Sequence, residues 1–155
     1  MNAVRVWAMA LTLAIAAGWL AAVGAGPREL RKVAKGAVSG IRETRQEVIR
    51  DRTAWEKLWA QHGGLTRPVE KLPDIDFARQ MVVVVTMGTQ RSGGYGIEIL
   101  AVEETNQVLR VSVQRTRPQK GAITTQALTA PFHMVAVSKS DLKAEFVEVA
   151  GPSRK

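Results

Sequence analysis

The chain has 155 residues, with 22 Lys and Arg against 14 Asp and Glu and a formal net charge of +8 at pH 7. Once an apolar N-terminus is set aside, that length allows a single domain. The absence of cysteine excludes a disulfide framework, a thiolate metal site and lipid attachment to a cysteine, and the only two histidines, His62 and His133, stand far apart.

Residues 1–25 read as an export signal. Arg5 and the α-amine form a short positive region, and residues 6–20 form an apolar stretch without a charge. Val23, Gly24 and Ala25 then supply small residues at the positions a signal peptidase needs, so cleavage is expected after Ala25. The rival is an uncleaved anchor, since residues 6–25 are long enough to span a bilayer. Arg28, Arg31, Lys32 and Lys35 follow the apolar stretch and outnumber the charge before it, which runs against export under the positive-inside tendency. Cleavage removes one Arg and no acid, leaving 21 basic and 14 acidic residues, a net +7. Outside the cytoplasm, whether in a periplasm, a cell envelope or the medium, such a surface meets anionic head groups, wall polymers or acidic proteins rather than nucleic acid. The plain alternative is a charge that serves solubility alone.

Residues 26–37 read as a basic linker or short helical turn, and residues 38–150 as the domain. Gly36 to Ile41 carry turn-type residues, and residues 46–50 read as a strand. The helix begins at Asp51, whose side chain can accept orphan backbone N–H groups; Thr53 and Glu56 give an alternative capping-box spacing. Trp55, Leu58, Trp59 and His62 recur at i, i+3, i+4 and i+7, one apolar stripe that anchors the helix on a sheet. Gly63 and Gly64 stop it. His62 is expected to act as an imidazolium at the helix C-terminus rather than as a ligand. Residues 65–78 form a loop in which Asp74 and Asp76 lack a third acidic ligand, so no metal site is expected, and Phe77 is expected to enter the core.

Met81 to Thr86 hold four consecutive valines, a strand buried on both faces. A glycine-bearing loop follows, and a second strand is expected over residues 95–102, with Tyr95, Ile97, Ile99 and Ala101 on one face. Residues 103–107 make a turn, and Leu109, Val111 and Val113 alternate with polar residues, completing an antiparallel hairpin. Residues 116–131 form a long proline-bounded loop of the kind that carries function. Strands resume at residues 132–137 and 146–149, and residues 151–155 are a basic tail. The expected architecture is α+β, mainly antiparallel β-sheet of five to seven strands, a sandwich or partly open barrel with one packed helix.

Two loops are candidates for binding. In the first, Thr89, Gln90, Arg91 and Ser92 are available for hydrogen bonding, Gly93 and Gly94 allow close backbone approach, and Tyr95 is an amphipathic anchor. Its plainer reading is a tight hairpin turn whose tyrosine starts the next strand. The second loop contributes Pro118, Lys120, Gly121, Thr125, Gln126 and Thr129. No P-loop or GxGxxG pattern occurs, and Ser92 has no nucleophile-elbow context. His133, between Phe132 and Met134 on an expected strand, reads as a core or rim histidine. No catalytic residue, cofactor or metal is expected.

With these segments in view, the chain resembles the PrcB family of small extracytoplasmic proteins. The likeness is carried by Gly36 to Ile41, VIRDRTAWEKLWAQH at 48–62, MGTQRSGGYGIEI at 87–99 and RPQKGAITTQALTAPFHMVAV at 117–137. The family's namesake is a lipid-anchored partner of a secreted subtilisin-like protease, and this chain departs from it in having no cysteine to acylate. The resemblance implies a non-enzymatic domain that binds a protein, a protease among the candidates, with membrane contact only through an uncleaved N-terminus. A looser likeness is to chagasin-type protease inhibitors, which place a Thr-Gly-aromatic loop beside others at one end of a β-sandwich; their aromatic-rich third loop is not recognisable here. A basic ligand binder of the cell envelope, driven by Arg28 to Lys35 and the Arg/Lys surface, is a third reading.

Overall fold

The computed structural model describes residues 26–64 and 71–150. The expected export signal, its cleavage after Ala25 and the basic tail lie outside them. Among the described residues, seven strands and one helix form three layers.

The central layer is an antiparallel sheet of four strands: β1 (Arg31–Gly36), β2 (Thr44–Ile49), β3 (Gln80–Met87) and β6 (Phe132–Ser138), in the order β1-β6-β3-β2. The strands β4 (Gly96–Thr105), β5 (Val108–Thr116) and β7 (Lys143–Glu148) form a second sheet, ordered β4-β5-β7. The helix α1 (Arg52–Gly63) covers the other face of the central sheet. The α+β, sandwich-like expectation is borne out, and the molecule is not a closed barrel.

This layering explains why the valine run tolerates no polar residue. Met81, Val83, Val85 and Met87 point with Val135 and Val137 into a core shared with Ile97, Ile99, Val102, Leu109, Val111 and Val113 of the second sheet. Val82 and Val84 point the opposite way with Phe132, Met134 and Ala136, toward Trp55, Leu58 and Trp59 of the helix. Successive side chains of a strand alternate faces, so a strand sandwiched by two layers must be apolar at every position. Thr86 is the buried polar exception, and its hydroxyl is satisfied: it accepts from Arg45 N–H and donates to Glu43 O.

The helix begins as its sequence dictates. Asp51 is the N-cap, accepting from Ala54 N–H at 2.8 Å, and Gly64 closes the C-terminus with φ 64°. The four residues of the apolar stripe, Trp55, Leu58, Trp59 and His62, are the buried ones. The Trp55 and Trp59 rings lie 5.3 Å apart, and Trp55 Nε1 donates to Pro73 O. His62 is buried in that stripe, 4.3 Å from the Phe132 ring, and its Nδ1 shares a 2.9 Å hydrogen bond with Ser39 Oγ.

Two expectations are corrected in detail, and two are filled in. Residues 31–36, read as linker or helical turn, are the edge strand β1 paired with β6. Its period is hidden because Val33 is an extra residue in a bulge between Lys32 and Ala34, and because an edge strand carries charges that discourage further pairing. In β4, Leu100 is the extra residue of a second bulge and is 44% exposed. The bulge shifts the alternation, so Val102 rather than Ala101 joins Ile97 and Ile99 in the core. Ile75 is the residue of the loop before β3 that is fully buried, while Phe77 packs half-buried at its margin. The closing strand pairs in parallel with β5, because the chain visits β6 in the other sheet before returning. The β4–β5 hairpin is as expected, closed by Asn106 and Gln107, both at positive φ, the geometry that matches the twist of paired strands.

The chain enters this frame through a short strap. Pro27 bridges to Glu103 at the far end of β4, and Arg28 N–H donates to Val102 O. The Arg28 guanidinium then reaches both sheets, pairing with Glu104 at 2.8 Å and donating to Ser138 O and Oγ. No helix among the described residues is long and apolar enough to cross a membrane.

Candidate functional site

The two candidate loops leave the same end of the sandwich. The first joins β3 to β4 and the second joins β5 to β6, so each crosses from one sheet to the other. The tight-hairpin reading of Ser92 to Tyr95 is therefore overturned: β3 and β4 never pair with each other.

The loops are bonded to one another along their length. Gln90 and Thr129 form an antiparallel bridge, with Gln90 N–H donating to Thr129 O at 2.7 Å and Thr129 N–H donating to Gln90 O at 3.0 Å. Thr129 Oγ1 donates to Ser92 O at 2.9 Å, and Gly93 N–H donates to Thr125 O at 2.9 Å. The glycine pair is required by this approach. A side chain at Gly93 would collide with the Thr125 hydroxyl. Gly94 has φ 84°, and a Cβ there would stand 3.1 Å from Pro118 Cβ and 3.2 Å from Thr124 Cγ2. Tyr95 is half-buried against the inter-sheet core and anchors the end of the first loop.

The second loop turns at its far end. Ala122 N–H donates to Gln119 O at 3.0 Å with Gly121 at φ 84°, the glycine geometry of a type II turn over Lys120 and Gly121. The turn presents Ile123 at 103% exposure, and Leu128 follows at 64%. Thr89, Arg91, Gly94, Lys120, Gly121, Thr125 and Gln126 are exposed, while Gln90, Ser92, Gly93, Pro118 and Thr129 are half-buried in the seam between the loops.

Sequence reading found the loops and missed Ile123 and Leu128. Neither belongs to a period of two or of 3.6, so each looked like loop filler. The available signal was an apolar residue in a stretch without an acid: from Arg115 to Ser140 the chain has no Asp or Glu.

A second polar cluster lies where β1, β4 and β6 meet. Lys35 Nζ pairs with Glu98 Oε1 at 2.6 Å, and Lys35 stands opposite His133 across the β1–β6 pair. His133 is 5% exposed, and its Nδ1 accepts Ile99 N–H at 2.9 Å. Burial, reinforced by the Lys35 charge, lowers the His133 pKa to about 4, so the ring is the neutral acceptor at neutral pH. The hydrogen bond from Lys35 holds the Glu98 pKa below its ordinary value. Ser39 and His62 form a separate buried pair, in which Ser39 Oγ also accepts Ile41 N–H and ties the turn before β2 to the end of the helix. Among the described residues, no three His, Asp or Glu side chains group as metal ligands would.

The fold and this loop-built end define an α+β domain whose most elaborated surface is a pair of cross-bonded loops. Residues 81–138 match the model of the PrcB C-terminal family, which bears out the resemblance over that stretch. The matched segment runs from β3 to β6 and contains every candidate loop residue from Thr89 to Thr129. Neither the curated proteins nor the solved structures contain a match to the chain.

Proposed function

We propose that the protein is an exported, non-catalytic interaction domain, an accessory or stabilising partner of an extracytoplasmic protease, and that it binds through residues 88–95 and 117–129. The observation that supports this most directly is the cross-bonding of the two loops through Gln90, Ser92, Gly93, Thr125 and Thr129. Loops that cross between sheets and are then fastened together form a preorganised surface, which lowers the ordering cost of binding. The family match supports the same reading, since the family takes its name from a protease-complex subunit.

The envelope-ligand reading rests on the basic surface as a whole, and part of its N-terminal charge already has partners. Of its N-terminal cations, Arg28 pairs with Glu104 and Lys35 with Glu98, Arg31 donates to Gln80 Oε1 and Asp74 O, and Lys32 is exposed. An inhibitor using the loops as a wedge remains the alternative, and the fully exposed Ile123 is the observation that favours it.

The test is affinity capture of the tagged protein from the cell that makes it, beside an Arg91→Ala, Lys120→Ala, Gln126→Ala variant. All three residues are exposed, so the fold is retained, whereas Tyr95 packs on the core and is left intact. Capture of a protease complex by the native protein and its loss in the variant is the expected result. Equal capture by both, or none by either, rejects the reading. Inhibition of purified proteases by the native protein, abolished by Ile123→Asp, identifies the wedge.

A further inference from the structure

We infer that the turn at Lys120 and Gly121 is an insertion element, and that Ile123 and Leu128 enter an apolar pocket on a folded partner protein whose rim carries carboxylates. The inference rests on the reading of the loops as the binding face and names the chemistry of what they bind.

Three observations carry it. First, Ile123 is 103% exposed and Leu128 64% exposed on one loop, while Leu and Ile elsewhere among the described residues are buried or half-buried, apart from Leu100 at a bulge. Second, the same two bonded loops carry Arg91, Arg117 and Lys120. All three are exposed, and none forms an ion pair with a described residue. The chain is free of acids from Met87 to Ile97 and from Arg115 to Ser140, so nothing in either loop neutralises them. Third, the turn projects from a seam held by backbone bonds, so the apolar side chains are presented by a braced loop.

Exposed apolar side chains on loops that also carry unpaired cations are complementary to an apolar site flanked by anions, and such complementarity steers association and fixes orientation. An anionic membrane offers related chemistry, but the observations favour a protein. No exposed Trp, Tyr or Phe lies in the loops, the side chains enriched where proteins meet the lipid interface. The chain also enters the domain at the opposite end, where Pro27 meets Glu103, seven residues along β4 from Gly96. At about 3.3 Å per residue that is roughly 20 Å from the loops.

The test places a photo-crosslinking benzophenone residue at Ile123 of the full chain in the cell that makes it, with Arg110, exposed on the outer face of β5, as the control position. The expected result is one protein crosslinked from Ile123 and not from Arg110, at an apolar site flanked by Asp or Glu. Binding of that purified protein should weaken at least tenfold with Ile123→Asp and with Lys120→Glu, and should weaken with added salt. Reversal of one flanking carboxylate to lysine in the partner should restore binding to Lys120→Glu. A crosslink to a surface without carboxylates, or Ile123-dependent sedimentation with phosphatidylglycerol vesicles in place of a protein crosslink, overturns the inference. A partner that binds Ile123→Asp as well as the native protein, yet is lost from the Arg91, Lys120, Gln126 triple variant, overturns the insertion element and leaves the proposed function standing. A partner retained by both variants overturns the two together.

Discussion

His133 on β6 accepts a hydrogen bond from the backbone N–H of Ile99 on β4, and this 2.9 Å contact joins the two sheets at the edge where β4 meets the central layer. Backbone N–H groups buried without a partner are costly, so the imidazole does for β4 what a neighbouring strand would do. It can do so only while Nδ1 is unprotonated.

A pH dependence follows. The folded-state pKa of His133 is lowered to about 4 from 6.5. Above pH 6.5 the ring is neutral in both states and the bond contributes fully. Between pH 6.5 and 4 the unfolded chain takes up a proton that the folded chain refuses, so stability falls as pH falls through that window. Urea midpoints at pH 7.5, 5.5 and 4.5 should decrease in that order, and His133→Gln should flatten the decrease above pH 5. The hydrogen bond from Lys35 lowers the Glu98 pKa from its ordinary value. Lys35→Met should raise the pKa of His133 and of Glu98 together, read by NMR titration; a His133 pKa that stays near 4 would show burial acting alone.

Trp55 is 1% exposed at the centre of the helix–sheet core. Trp55→Ala should cost about 3–5 kcal/mol, the range for deleting a buried aromatic side chain. Trp55→Phe retains most of the packing and loses the Nε1 bond to Pro73 O. Its smaller loss in urea denaturation measures that bond and the residual cavity.

Gly94 and Gly121 share φ 84° but differ in surroundings: Pro118 and Thr124 crowd the first, and nothing lies near the second. An alanine at either bears the left-handed backbone cost of about 1–2 kcal/mol. Gly94→Ala should lose more than Gly121→Ala, and it should speed amide exchange at Gly93, whose N–H donates to Thr125 O across the seam. Equal exchange in the two variants would mean that the loops are not held together at this point.

Arg28 ties the strap to Glu104 and Ser138 from a guanidinium that is largely covered. Arg28→Met should cost about 1.5–3 kcal/mol, the range for hydrogen bonds to charged groups. A double-mutant cycle with Glu104→Gln should return a coupling energy that persists at high salt, since a partly buried pair is screened less than an exposed one.

The legible parts of the sequence were those in which one layer of packing imposes one period. The helix was readable from Asp51 to Gly64, because its cap, stripe and stop are local. The valines of β3 were readable as buried on both faces, and Leu109, Val111 and Val113 as buried on one. Legibility failed wherever an extra residue broke the period. Val33 disguised β1 as a linker, and Leu100 moved the core position from Ala101 to Val102. Partnering between distant segments was also silent. Nothing in Ser92-Gly93-Gly94-Tyr95 says that its glycines face Thr125 and Pro118 rather than a hairpin, because that contact is long-range. The loops were identified as candidates from their polar and glycine content, whereas the exposure of Ile123 depends on where the turn at Gly121 points.

The strand from Gln80 to Met87, covered on both faces, has a consequence for the chain before it folds. Met81 to Val85 combine high β-propensity, no charge and no proline, the composition that stacks into intermolecular sheets when left exposed. In the finished domain that segment is the most shielded stretch of backbone; in a chain still extended it is the most adhesive one. Arg79 and Gln80 before it, and Gly88 after it, are its flanking breaks. Conditions that delay the closing of β2 and β6 around this strand should therefore reveal themselves first as aggregation rather than as loss of binding.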